Sequence, residues 1–445
     1  MTLHSVDGSD PLTVVVMARL QPKVSGGVEQ AITGMVAGLG GLTDGAERYI
    51  VVTDPAVPQW LDQYVGCNTR VVVAPEPAWK STARCVFRPA LPVIATILAH
   101  GNNVRSKFAI PTWNVATYDP FVESLKGHIV HFPYQWLHYT TAPSLFSPYD
   151  IQHVHYPQFF DANTLHQREN MYPRWCDAST LIEVQSHAAK ADFAANLGVP
   201  SDKIAVIPRS APTEFAAKIR PATLAFVEQC YALPQPFILF PAQTWPHKNH
   251  LRLFDALAIL RDRYGLRLPL VCTGHRNNYY RVLKDRLAHL ELVDTVYFLG
   301  HVPADHLRAL YHLAEFVVFP TLFEGGGFPL LEAFAERRSL ACSNLPVLME
   351  QAGDAAAYFD PQSAEEMASV LLQLHVSPTI REQLCKRGTE RLAEHSWTAV
   401  ARRYRAIYRS IAGFPLTVED QGLIHAAMAA HVPLKGDVLY ASTEE

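Results

Sequence analysis

Short apolar runs alternate with helix-patterned stretches along this chain, and that alternation limits its possible folds more than any other feature. Thr13–Met17, Tyr49–Thr53, Arg70–Ala74, His128–Phe132, Leu181–Val184 and Ile204–Pro208 read as strands in the first half. A proline-bearing connector follows, from Ile207 to Arg220. A second series then begins with Phe237–Pro241, Leu268–Thr273, Thr295–Leu299, Phe316–Pro320, Leu340–Ser343 and Ala357–Asp360. Strands with polar residues on neither face belong to parallel sheets covered by helices on both sides. Two such series predict two doubly wound Rossmann-like α/β domains facing each other across a cleft. Ligands of open parallel sheets sit beyond the carboxyl ends of the strands, which places a site in that cleft. Thr398–Ile411 reads as an amphipathic helix, and the tail is helical again around Gln421–Ala430.

Composition removes several classes of function. With 49% hydrophobic and 18% charged residues in a chain of 445, there is enough apolar surface to fold two sizeable cores. The net charge of −4 gives no basic field for nucleic acid. No apolar run reaches the ~20 residues that span a bilayer, and MTLHSVDGSDPL lacks a signal-peptide pattern, so a cytoplasmic protein is expected. The cysteines (Cys67, Cys85, Cys176, Cys230, Cys272, Cys342 and Cys385) are scattered and never spaced C-x-x-C, which fits free thiols. Neither H-E-x-x-H nor D-x-D occurs, so no metal site is expected.

The strongest constellation follows the strand Phe316–Pro320, in TLFEGGGFPLLEAFAERRS from Thr321 to Ser339. Gly325, Gly326 and Gly327 allow positive φ and close approach of a ligand to the backbone. Pro329 suits the first turn of a helix, whose free N–H groups and dipole attract anions. Glu324 at the strand exit and Glu332 one turn into the helix cannot bind phosphate, but they accept hydrogen bonds from sugar or ribose hydroxyls. The plainer alternative is an ordinary turn with both glutamates solvated. After Phe237–Pro241, the segment PAQTWPHKNH carries His247, Lys248, Asn249 and His250 into the same crevice, where Lys248 could neutralise a diphosphate. The alternative there is a solvated helix cap, with Asn249 as N-cap and Lys248 in water. Gly26 and Gly27 follow the first strand and precede a helix. The loop SPYDIQHVHYPQFF (Ser147–Phe160) supplies Asp150, His153 and His155 as groups able to contact a sugar or move a proton.

EGGGFPLLEA, Glu324 to Ala333, resembles the signature of two glutamates eight apart (EGFGLPxLEA) in retaining glycosyltransferases of family 4. FLGHVPADHLRALYHLAEFVVFPT, SNLPVLMEQAGDAAAYFDP and HSWTAVARRY resemble the surroundings of that signature. PAQTWPHKNH, the loop from Ser147 and Val184–Pro208 resemble a bacterial mannosyltransferase-like subgroup. The resemblance implies the GT-B fold. Residues 1–213 would form the acceptor-binding domain, joined by helices within 398–445 that cross back to it, and 214–397 the donor-binding domain. It further implies that Glu324 contacts the donor sugar and Glu332 the ribose. Lys248, Gly26, Gly27 and the amides of Gly325, Gly326, Gly327 and Phe328 would support the diphosphate or sugar. His153 and Asp150 would line the acceptor side, and Gln243, His247, Gly274 and Arg276 would add donor contacts. Gln243 stands where that family commonly has arginine, Tyr149 where the subgroup has histidine, and Gly326 where the signature has phenylalanine.

The implied activity is metal-independent, retaining transfer of a hexose such as mannose. The donor would be a GDP- or UDP-linked sugar and the acceptor a hydroxyl of a glycan or lipid-linked glycan in surface polysaccharide biosynthesis, with no cofactor. The competing reading is a GT-B protein that binds a nucleotide sugar, or regulates, without transferring. Pro77–Tyr118 contains no Asp or Glu but carries Lys80, Arg84, Arg88, Arg105, Lys107 and the apolar run VIATILA. Residues 78–110 would suit peripheral contact with an anionic inner membrane face bearing a lipid-linked acceptor. The alternative is a helix packed on the first sheet with solvated basic residues.

Overall fold

The computed structural model describes residues 10–22, 26–75, 118–216, 218–393, 395–429 and 439–440. The basic stretch 78–110, and with it the expectation of a membrane contact, lies outside the described residues.

Among the described residues the strands form two sheets of seven, and every pairing is parallel. The first contains β1 (Thr13–Ala18), β2 (Arg48–Thr53), β3 (Thr69–Val73), β4 (Ile129–Phe132), β5 (Ser144–Phe146), β6 (Leu181–Val184) and β7 (Ile204–Val206), in the order β3-β2-β1-β4-β5-β6-β7. The second contains β8 (Ile238–Pro241), β9 (Leu270–Thr273), β10 (Val296–Gly300), β11 (Val317–Phe319), β12 (Leu340–Ser343), β13 (Ala357–Phe359) and β14 (Leu439–Tyr440). Its order, β10-β9-β8-β11-β12-β13-β14, repeats the first. In each sheet the winding reverses at the centre, between β1 and β4 and between β8 and β11. A crevice opens at such a reversal, because the two connecting segments leave in opposite directions.

Burial explains the apolar character of the strands. Val14, Val15, Val16 and Met17 of β1 are wholly buried, as are Ile238, Leu239 and Phe240 of β8. Removing a valine or leucine side chain from water contributes roughly 1.5–3 kcal/mol, so helices on both faces stabilise an uninterrupted apolar strand. β5 is the one strand of the first sheet absent from the sequence reading. Its three residues, Ser144, Leu145 and Phe146, are all buried, but they are too few to display a period.

The helix Trp397–Ala412, starting at an N-cap whose Ser396 hydroxyl accepts from the Ala399 amide, packs on the first sheet's helix Gly27–Gly40. Val400, Tyr404, Ile407 and Tyr408 join the first domain's core. Two glycines make room: a Cβ at Gly34 would lie 1.9 Å from the Trp397 ring, and one at Gly38 would lie 2.3 Å from the Trp397 carbonyl. The Trp397 indole N–H donates to the Ala211 carbonyl at 2.7 Å. Arg405 pairs with Asp44 at 2.5 Å, and Arg409 pairs with Glu47 and Asp420. The last helix, Val418–Met428, begins with a reciprocal Thr417–Asp420 cap. No helix among the described residues is long and apolar enough to cross a membrane.

Candidate active site

The carboxyl ends of both sheets meet around a cavity of about 540 Å³. Its second-lobe side begins where β8 ends. After a turn at Pro246–Lys248, Asn249 takes a left-handed conformation, φ 64°. Its side chain does not cap the next helix, contrary to the solvated-cap alternative. Its amide donates to the carbonyls of Pro320 (2.9 Å) and Pro361 (2.8 Å), tying this loop to the ends of β11 and β13. Lys248 is thereby directed into the cavity, where Nζ lies 2.5 Å from Glu324 Oε1 and 5.3 Å from the centre of the Phe319 ring. The Thr321 hydroxyl donates to the same carboxylate at 2.9 Å. Burial raises the Glu324 pKa while Lys248 opposes the shift.

Neither glutamate is solvated. Glu332 is buried, accepting from the Tyr311 hydroxyl at 2.6 Å and, across the cleft, from the Gln30 amide at 3.3 Å. Burial pushes its pKa up to about 7. Residues from both lobes therefore converge on this carboxyl group.

The expectation of positive φ in the glycine triplet does not hold. None of Gly325, Gly326 and Gly327 has positive φ. What the turn requires is the absence of side chains facing the other lobe. A Cβ on Gly325 would stand 2.7 Å from the Tyr149 carbonyl, and one on Gly326 would stand 3.3 Å from Gln185 Cβ. The Gly327 amide already donates to Gln351 at 2.9 Å, so it is engaged within its own lobe. Gly26, by contrast, has φ 53°. A Cβ on it would face Gln243 at 3.5 Å, and one on Gly27 would face the Phe328 ring at 3.2 Å.

The remaining expected residues divide. Gln243, His247, Gly274 and Asp150 line the cavity. Gln243 accepts from the Trp245 indole at 2.8 Å, and burial lowers the His247 pKa to about 2, which keeps that ring neutral. Asp150 accepts from the Gln152 amide at 3.1 Å and stands 4.0 Å from Arg168, with its pKa raised by burial. His153 is a correction: it is buried against Tyr172 (4.9 Å between ring centres) and is not among the lining residues. The helical turn Gln152–His155 turns its ring into the core, while Gln152 faces the cavity. Arg276 is another correction. Its guanidinium donates to the Phe298 carbonyl at 2.5 Å and lies over Tyr280, outside the lining residues.

Several residues not singled out from sequence also shape the site. Arg209, just beyond β7, is buried with Nη2 2.8 Å from Glu183, and it hydrogen-bonds the Tyr404 hydroxyl of the crossing helix. Gln185, Arg168, Gln351 and His301 line the cavity as well. Gln185 directly follows β6 and Arg209 lies three residues beyond β7, a topological cue that residue type alone does not carry. A further contact joins the lobes: both carboxylate oxygens of Glu350 accept from the amides of His187 (2.8 Å) and Ala188 (2.9 Å) at the start of the helix His187–Leu197. Among the described residues, no three His, Cys, Asp or Glu side chains are grouped as a metal ion would need.

Paired, identically ordered parallel sheets with a site at their facing carboxyl ends define a GT-B protein. The crystal structure of a glycosyltransferase from Rickettsia africae superposes with a TM-score of 0.64 at 17% identity, over 90% of this chain and 99% of that one. Residues 231–391 match the family described as Glycosyl transferases group 1. O-antigen chain mannosyltransferase B of Escherichia coli is 26% identical over 61% of this chain and 71% of its own length. O-antigen chain mannosyltransferase RfbU of Salmonella typhimurium is 29% identical over 43% of this chain, and the match spans only half of that relative.

Proposed function

We propose that this chain is a retaining glycosyltransferase that moves a hexose from a nucleotide-diphosphate sugar to a hydroxyl of a glycan or lipid-linked glycan. Mannose, from a GDP-linked donor, is the first choice because both relatives named above are mannosyltransferases of O-antigen chains. UDP-linked hexoses are the second. The pathway would be surface polysaccharide assembly, at the inner face of a membrane.

The observation that carries this reading is the Lys248–Glu324 pair beside the triplet, inside a cavity built by both lobes. A diphosphate entering there would take the ammonium of Lys248 from Glu324. The freed carboxylate would then accept hydrogen bonds from the sugar hydroxyls. Glu332, with Gln30 beside it, is placed to accept from a ribose hydroxyl. As the bond from the anomeric carbon to phosphate breaks, its electron pair passes to the diphosphate, and Lys248 stabilises the growing negative charge in a site screened from water. We assign that role to Lys248 and the neighbouring amides rather than to a metal. The acceptor oxygen bonds the anomeric carbon from the face the diphosphate leaves, and its proton passes to the departing phosphate oxygen. A neutral Gln243 in place of a second cation makes Lys248 more important, since it does not share that charge with an arginine there.

The test is nucleotide release from GDP-mannose and from UDP-hexoses, with and without oligosaccharide acceptors. Lys248→Ala and Glu324→Ala should each lower turnover at least ~100-fold while the protein stays folded. Near-normal turnover in both variants removes the assignment. Donor binding without turnover under any condition would favour the binding-protein reading.

A further inference from the structure

On the first lobe's side of the cavity, three buried hydrogen-bond donors have no partner in the protein: Nε2 of Gln185, Nε2 of Gln152 and Nε of Arg209. Gln185 is 7% exposed and Arg209 is 4% exposed, so bulk water does not reach them freely. Unpaired donors in such places are uncommon, and each points to something that completes it. They follow β5, β6 and β7 in turn, with Gln185 backed against Gly326 of the second lobe.

The charges on this wall are balanced within the lobe. Arg209 faces Glu183 at 2.8 Å, and Arg168 faces Asp150 at 4.0 Å. A phosphate or carboxylate entering here would need surplus positive charge, which these pairs do not leave. Hydroxyl and ring oxygens need only donors.

We propose that Gln185, Gln152 and Arg209 read the oxygens of an uncharged saccharide, so that the acceptor ends in a neutral sugar and not in a phosphorylated or carboxylated one. This inference rests on the transferase reading of the cavity and adds the acceptor's chemical class. Gln185 would be the specificity-determining residue, because it reaches across to the turn that follows Glu324.

The experiment is titration calorimetry on the full chain with saturating GDP, using methyl α-mannobioside and its 6-phosphate as probes. The neutral probe should bind at least about tenfold tighter than the phosphate, and Gln185→Leu should weaken it about tenfold with GDP affinity unchanged. Gln152→Leu gives a second readout if the first variant fails to bind GDP through misfolding. Equal or tighter binding of the phosphate overturns the proposal, as does absence of binding by both probes. Binding by both variants within twofold of the wild type does so too. If no sugar nucleotide is ever turned over, the transferase reading fails, and the comparison of the two probes then reports only whether this wall prefers a neutral saccharide.

Discussion

At Gly325, a single hydrogen in place of a methyl group sets how near the two lobes can come. Its position lies 2.7 Å from the Tyr149 carbonyl and 3.1 Å from Asp150 Cβ, and backbone there cannot yield as a flexible side chain would. Gly325→Ala should therefore leave each lobe folded but hold them apart, lowering turnover ~10-fold or more with little change in melting temperature. Glu332 permits a prediction on pH. Its folded pKa of about 7 lies above its ordinary value of 4.5, so the group is neutral in both states under acid conditions and costs nothing there. As the pH rises from about 4.5 through about 7, the unfolded chain loses its proton first and the folded state loses stability, by about 3 kcal/mol in all. Glu332→Gln should abolish that decline and melt above the wild type at pH 8. Urea titrations at pH 4 and pH 8 would check it; a parallel decline in the variant would reject the assignment.

Helix contacts divide the glycines of the chain into two kinds. Gly34, under the Trp397 ring, has no room for a methyl, and Gly34→Ala should cost about 2 kcal/mol through forced repacking of the crossing helix. Gly422, at an exposed position of the helix Val418–Met428, has nothing within 4 Å of the same methyl position. Gly422→Ala should stabilise by up to about 1 kcal/mol. Urea midpoints of the two variants should move in opposite directions. Sequence could not separate these cases, because both residues sit in helix-patterned stretches and only the partner differs. The longer apolar runs of both sheets were legible as strands, whereas β5, with three residues, and β14, with two, are too short to show a pattern. Among the site residues, Glu324 and Glu332 were legible by their spacing and Lys248 by its place after a strand. Gln185 and Arg209 were not, since each takes its meaning from groups far away in the chain. The misplacement of His153 arose similarly: a four-residue turn decides which of its neighbours faces the cavity, and no periodicity can be read over so short a length.

At the scale of the whole molecule, polar contacts bridge the cleft: Gln30 to Glu332, Tyr156 to the Leu322 carbonyl, and Glu350 to two backbone amides. Glu350→Ala should remove about 1 kcal/mol of that association. Small-angle scattering should then report a larger radius of gyration, with a weaker response of that radius to added GDP. An unchanged radius would show that Glu350 does not hold the lobes together. The Glu350 contact also has a consequence for what separation means. The first amides of the helix His187–Leu197 find their acceptors on a neighbour that moves away when the halves part, so parting hands two amide N–H groups near Gln185 to water, while the Ser186 hydroxyl still caps the Ala189 amide. A molecule standing ajar would therefore rehydrate the edge of the wall on which its second substrate would rest.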